Sequence, residues 1–149
     1  MEFITTEQFL KEDKKVQEVF IDWWKPSMGD LYAWNYSDES ENDLHKLQAC
    51  TSKLVTELTN DNKGINEGDR IPLLTEGQLR KFIEDKTKSY FSCEIINPLV
   101  NEEGFRFVFE FYSGKEFKYN EKLRKEIYAI DLLQAYWQVA VQMAKNIDN

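Results

Sequence analysis

The sequence contains very little histidine, cysteine, glycine or proline. Its 149 residues include one histidine, two cysteines, six glycines and three prolines. A lone His45 excludes a site with several histidine ligands, and Cys50 and Cys93 are too far apart for a CxxC motif. The glycines are scattered singly, so there is no glycine-rich phosphate loop. We therefore predict no cofactor and no metal, and we expect both cysteines to pack as reduced thiols.

Signatures of catalysis are also missing. The chain has no GxSxG nucleophile elbow, and a serine triad would have to use His45 with no pattern that identifies its serine. Pairs of carboxylates carry no information in a chain with 27 acidic residues, although carboxylates do serve as general acids and bases. The sequence therefore gives no catalytic residues and favours a non-enzymatic protein.

No hydrophobic run approaches the ~20 residues that cross a bilayer. The first ten residues, MEFITTEQFL, carry acids where a secretory signal would carry positive charge ahead of an apolar run. We therefore expect a cytoplasmic protein without a membrane partner.

The charge balance is strongly acidic, with a net charge of -8 and a pI of about 4.8. This balance disfavours nucleic acid, because affinity for a phosphate backbone comes from lysine and arginine. A local basic run does follow Ser113, but glutamates are interleaved with it, as is typical of a solvated mixed-charge surface. Its basic residues are Lys115, Lys118, Lys122, Arg124 and Lys125.

Large apolar side chains are abundant, since 42% of the residues are hydrophobic and 14% are aromatic. A chain of this length and composition can bury one core. We therefore predict a single globular domain over residues 1–149.

Helical periodicity predicts three helices. The first covers residues 6–24 behind a capping box formed by Thr5 and Gln8. The second begins near Glu76, and its capping box is Thr75 with Gln78. The third follows Asp131 as N-cap and repeats apolar residues at steps of three and four, so it should be largely buried. The apolar residues of this last helix are Leu132, Leu133, Tyr136, Trp137, Ala140, Met143, Ala144 and Ile147.

Two segments are ambiguous. Residues 44–59 are predicted as a helix, although β-branched Val55 and Thr56 also suit a strand. Residues 121–130 fit a helical turn or a strand.

Alternating patterns predict the strands. Residues 30–36 place aromatic side chains on one face, and residues 90–97 and 104–113 form a hairpin with a further strand at residues 116–119. The second strand of the hairpin has phenylalanine at every other position, which predicts a buried face beneath the last helix. Those residues are Phe105, Phe107, Phe109 and Phe111.

This order of helices and strands, without regular alternation, indicates an α+β fold. We expect a small antiparallel sheet of three to five strands, packed by the N-terminal and C-terminal helices on one face.

Three of the four tryptophans fall in FIDWWKPSMGDLYAW, residues 20–34. Such rings form either core, since large aromatics are mostly buried, or a face that anchors a partner. The candidate binding residues are Trp23, Trp24, Lys25, Tyr32 and Trp34.

Three stretches, DWWKPSMGDLY, IPLLTEGQLRKFIEDK and DLLQAYWQVAVQMA, resemble small proteins encoded by bacteriophages and prophages of Gram-positive bacteria. The resemblance implies an accessory protein made in the host cytosol. It provides no catalytic residues, and that group has no activity to carry over.

The leading hypothesis is a non-enzymatic module that binds a host or phage protein. The first alternative is a single-stranded nucleic-acid-binding protein that stacks bases on its aromatic rings. The second alternative is a small-molecule enzyme that uses carboxylate chemistry.

Overall fold

Helices and antiparallel strands are distributed over two compact units. A computed structural model describes residues 2–34, 47–50, 70–96 and 104–146. One unit comprises Ile4–Leu74, and the other comprises Thr75–Asn149 together with Met1–Phe3. The prediction of one globular domain over residues 1–149 stays a prediction.

The first unit starts with two short helices, α1 (Thr6–Leu10) and α2 (Lys14–Trp23). The capping box predicted at Thr5 is present. The predicted single helix over residues 6–24 is wrong, because residues Lys11–Asp13 are not helical and separate α1 from α2. Asp13 takes extended angles as the N-cap of α2. The side-chain amide of Gln17 stabilises the break by donating to the carbonyl oxygen of Glu12 at 2.7 Å.

Three short strands follow in this unit: β1 (Leu31–Trp34), β2 (Leu47–Ala49) and β3 (Arg70–Pro72). They form an antiparallel sheet in the order β2-β1-β3. The predicted helix over residues 44–59 is therefore wrong at Leu47–Ala49, where pairing with β1 satisfies the backbone in an extended form. The rest of that prediction lies outside the described residues, except Cys50.

The second unit contains α3 (Glu76–Thr87), β4 (Tyr90–Ile96), β5 (Phe105–Ser113), β6 (Lys118–Tyr119), β7 (Lys125–Ala129) and α4 (Leu132–Lys145). Strand β5 is central: β4 pairs along one side of it, and β6 and β7 pair along the other, all antiparallel. The ambiguous segment 121–130 resolves into a 3-10 turn, Glu121–Leu123, and strand β7.

Phenylalanine side chains of β5 form the buried face of this sheet, as the alternation predicts. Phe107, Phe109 and Phe111 are at most 1% exposed, whereas Phe105 at the start of the strand is 43% exposed. Each fully buried ring stabilises the fold by about 2 kcal/mol relative to an exposed one. We call this helix-covered side of the sheet the inner face and the opposite side the outer face.

Helix α4 lies on the inner face. The ring of Tyr136 packs edge-on against Phe91 and Phe109, with centroids 5.7 and 5.6 Å away. The helix begins as predicted, because Asp131 accepts a hydrogen bond from the backbone nitrogen of Gln134 at 2.8 Å. The α+β class predicted from the sequence is confirmed, with helices packed against antiparallel sheets.

Candidate functional site

The tryptophan-rich stretch contributes to the core of the first unit. Trp24 is 4% exposed, and its indole nitrogen donates to Oδ2 of Asp30 at 3.2 Å. The same oxygen accepts from the backbone nitrogen of Ser27 at 2.9 Å. The turn allowed by Gly29, whose φ is +90°, is therefore fixed by one carboxylate that also satisfies a buried indole.

The other candidate binding residues of this stretch divide between core and surface. Tyr32 is 4% exposed, so its ring and that of Trp24 belong to the core rather than to a contact face. Trp23 is half-buried, and Lys25 is exposed. The backbone of Trp34 ends β1, but its side chain lies outside the described part of the chain. Among the candidate side chains that the structure describes, Trp23 and Lys25 are the ones that reach the surface.

A different aromatic cluster lies on the outer face of the four-stranded sheet. Tyr90, Tyr112 and Tyr119 are directly paired across β4, β5 and β6, and side chains paired in this way share one face. The rings of Tyr112 and Tyr119 lie 5.7 Å apart, and the ring of Phe117 lies 5.8 Å from that of Tyr90. We call Tyr90, Tyr112, Phe117 and Tyr119 the aromatic patch.

Three of these four rings are well exposed to solvent. Phe117 is 63% exposed, Tyr90 61% and Tyr119 43%. An isolated exposed apolar side chain is ordinary, but a contiguous cluster is typical of a contact surface. The aromatic patch is therefore the candidate functional site.

Phe117 is held in an unusual backbone conformation at the end of the β5–β6 turn, directly before β6. Its φ is 48°, in the left-handed region that non-glycine residues rarely adopt. Its backbone nitrogen donates to the carbonyl oxygen of Gly114 at 3.2 Å, and Gly114 also has a positive φ. The turn thus presents a large apolar ring to solvent at a cost in backbone energy, and such strain clusters at functional positions.

Charges of both signs surround the patch on the outer face. The alternation that places Tyr112 there also places Arg106 and Glu110, and pairing adds Glu94 and Glu126. The guanidinium of Arg124 lies 2.7 Å from a carboxylate oxygen of Glu126 and holds the pKa of that carboxyl below its usual range. The hydroxyl of Tyr112 donates to Glu110 at 3.1 Å, which raises the pKa of Tyr112. The described strands thus place two arginines and three glutamates on this face, which leaves no cationic surplus among those side chains.

A partly buried polar cluster of Arg80, Cys93 and Tyr136 joins α3, β4 and α4, with Arg80 exposed and Tyr136 buried. The guanidinium of Arg80 donates to the carbonyl oxygen of Phe91 at 3.2 Å and lies 5.0 Å above its ring. Burial raises the pKa of the Cys93 thiol to about 11, and burial also raises the pKa of Tyr136. Both groups are therefore held in their protonated forms at neutral pH, which is a structural role rather than a reactive one.

No helix within residues 2–34, 47–50, 70–96 and 104–146 combines the length and hydrophobicity of a membrane-spanning segment. Across the same ranges, His, Cys, Asp and Glu form no group of three or more that could hold a metal ion. Among these residues, Cys50 and Cys93 are free thiols, Cys50 being buried as expected. His45 lies outside the described residues.

Comparison with known proteins gives no match, whether to protein-family models, to curated proteins or to solved structures. The resemblance to phage and prophage proteins stays a prediction.

Sequence reasoning missed the aromatic patch because its members are separated along the chain. The alternation of β5 does put Tyr112 on the face opposite the phenylalanines, and that was the one available signal. The pairing that brings Tyr90 and Tyr119 beside it, and the positive φ of Phe117, depend on strand register and turn geometry. The binding site was predicted at residues 20–34 instead, because three of the four tryptophans fall there.

Proposed function

We propose that the protein is a non-enzymatic accessory module, encoded by a phage or prophage, that binds a host or phage protein in the bacterial cytosol. The observation that carries the proposal is the aromatic patch, in which Tyr90, Phe117 and Tyr119 remain exposed although Phe117 occupies a strained backbone conformation. Aromatic side chains of this kind dominate the energetics of protein interfaces.

The charge around the patch supports a protein partner over a nucleic acid. Stacking platforms for single strands combine aromatic rings with a cationic groove that follows the phosphates. The outer face instead carries Glu94, Glu110 and Glu126 against Arg106 and Arg124. Mixed charge at the rim of an aromatic centre is the usual composition of a protein interface.

The proposal is tested by capture from the lysate of a Gram-positive host with immobilised wild-type protein and two variants. Phe117→Asn removes the ring but keeps a residue that tolerates a positive φ. Tyr128→Ser is the matched control, because Tyr128 is 54% exposed on the same outer face and pairs with Arg106, away from the patch.

We expect a partner protein that Phe117→Asn binds at least ~10-fold more weakly, as for an interface hot spot, and that Tyr128→Ser binds within about two-fold of wild type. Failure to capture any protein, or equal capture by Phe117→Asn and wild type, would overturn the proposal. Salt-sensitive retention of a single-stranded oligonucleotide that Phe117→Asn abolishes, without a protein partner, would favour the nucleic-acid alternative.

A further inference from the structure

A second surface feature of Thr75–Asn149 is an open cleft with a basic lining. It has a volume of about 660 Å³ and lies where the last turns of α3 and α4 meet the 3-10 turn and the start of β7. Its size falls within the range of small-molecule sites in proteins. The lining residues are Asp85, Lys86, Thr87, Lys88, Lys122, Leu123, Lys125, Met143 and Asn146.

The charge of this lining is opposite to that of the whole chain. Four lysines and one aspartate give the cleft a formal charge of +3, whereas the chain has a net charge of -8. The carboxylate of Asp85 is already engaged, since it lies 3.7 Å from the ammonium of Lys81. Positive charge concentrated in a cleft raises the local concentration of anions.

The lysines of the cleft have no carboxylate partners in the part of the chain that the structure describes. Ion pairs in that part of the chain include Arg80 with Glu84, Lys81 with Asp85, and Arg124 with Glu126. The ammonium of Lys86 instead lies 5.6 Å from the centre of the Phe82 ring. Four ammonium groups with a single carboxylate among them repel one another, so a bound anion would relieve that repulsion.

Helix ends account for part of this positive charge. Lysines are favourable near helix C-termini because each terminus carries roughly -0.5 of a charge, and Lys86 stands in the last turn of α3. Two helices end at the cleft, which together offset about one of its positive charges. A surplus of about two charges remains, and Lys122 and Lys125 come from elements outside both helices.

We propose that this cleft binds a small phosphate-bearing anion, such as a polyphosphate or a phosphate ester. Several ammonium groups on flexible stems suit the several oxygens of such a group, which they contact as point charges. Leu123 and Met143 supply apolar lining for the organic part of an ester, and Asn146 supplies an amide. The site goes beyond the proposed protein contact and shares no residue with the aromatic patch.

The test is calorimetric titration of the full chain with inorganic tripolyphosphate in a buffer of about 50 mM salt. The cleft variant is Lys88→Gln with Lys122→Gln. The matched control is Lys115→Gln with Lys118→Gln, which removes the same charge from exposed positions on the β5–β6 turn and β6. Circular dichroism confirms that each variant is folded.

We expect saturable binding to wild type, at least ~10-fold weaker binding to the cleft variant, and a change within about two-fold for the control. Tripolyphosphate should also raise the melting temperature of wild type but not of the cleft variant, because it binds the folded state. Phe117→Asn should bind tripolyphosphate as wild type does, which separates this site from the protein contact.

Absence of binding, or equal weakening in both double variants, would overturn the proposal. A single-stranded oligonucleotide serves as a second probe. Binding of the oligonucleotide that depends on Lys88 and Lys122, without binding of tripolyphosphate, would also overturn it in favour of a nucleic-acid backbone.

Discussion

The indole nitrogen of Trp24 and the carboxylate of Asp30 form a hydrogen bond of 3.2 Å across the turn that contains Gly29. Because the backbone nitrogen of Ser27 shares the same carboxylate oxygen, one side chain satisfies two donors. The relationship explains why a tryptophan at the end of α2 can be 4% exposed without leaving its nitrogen unpaired.

Replacement of Asp30 should therefore destabilise the protein. Asp30→Ala leaves the buried indole nitrogen of Trp24 without its acceptor, so we expect the free energy of unfolding to fall by about 2 kcal/mol. Urea denaturation followed by tryptophan fluorescence measures this loss. Asp22→Ala, at an exposed helical position, is the control and should change stability by no more than about 0.5 kcal/mol. Equal effects of the two substitutions would contradict the assigned role of Asp30.

The phenylalanines at the start and in the middle of β5 should contribute differently to the free energy of unfolding. Phe109→Ala removes a ring that is 0% exposed and should lower the free energy of unfolding by about 3–5 kcal/mol through lost burial and the cavity that remains. Phe105→Ala deletes the same atoms at a position that is 43% exposed, so we expect a loss of about 1 kcal/mol or less. Chemical denaturation of the two variants side by side checks the difference, which similar losses would refute.

Two substitutions at Phe117 should distinguish the contribution of its backbone conformation to stability from that of its ring. Phe117→Asn should keep stability within about 1 kcal/mol of wild type, because asparagine tolerates the positive φ and offsets the lost contact with Tyr90. Phe117→Val should lower stability by about 1–2 kcal/mol more than Phe117→Asn, because a β-branched residue is strained there. Thermal unfolding of both variants measures the effect, and a valine variant as stable as the asparagine variant would argue against the left-handed turn.

Stability should decrease at alkaline pH in a way that depends on Cys93. Its pKa is raised from 9.0 to about 11 by burial in the folded protein. Between these values the unfolded chain releases a proton that the folded chain retains, so the free energy of unfolding falls as pH rises through that window. The raised pKa of Tyr136 adds the same trend above pH 10.

Urea denaturation at pH 8, 9 and 10 compares wild type with Cys93→Ala, and the dependence on pH should be shallower in the variant. Ile95→Val, at an exposed and non-titrating position two residues further along β4, should keep the wild-type dependence. A Cys93→Ala variant with an unchanged dependence would show that another group controls the alkaline loss.

Those parts of the fold that depend on local sequence were predictable. The capping boxes at Thr5 and Thr75 and the N-cap at Asp131 form as their side chains indicate, because a cap satisfies backbone donors a few residues away. The alternation of β5 likewise identified its buried face, since side chains change sides at every residue of a strand.

Other features depend on partners distant in sequence. Leu47–Ala49 has apolar residues that suit either structure, and pairing with β1 decides for a strand. The break before α2 was missed because the apolar periodicity continues across it. Neither candidate surface could be predicted: the aromatic patch needs the register of three strands, and the basic cleft unites Lys88 with Lys122 across 34 positions of sequence.

The central place of β5 has a consequence for how the second sheet can assemble. Strand β5 pairs with its chain neighbours β4 and β6 and with β7, so every pairing falls between Tyr90 on β4 and Ala129 on β7. Closing such short loops loses little chain entropy, and proteins dominated by nearby contacts fold rapidly. This sheet can therefore form by adding strands to its hairpins. All of its pairings lie within 40 residues of the chain, so distant segments need not meet first.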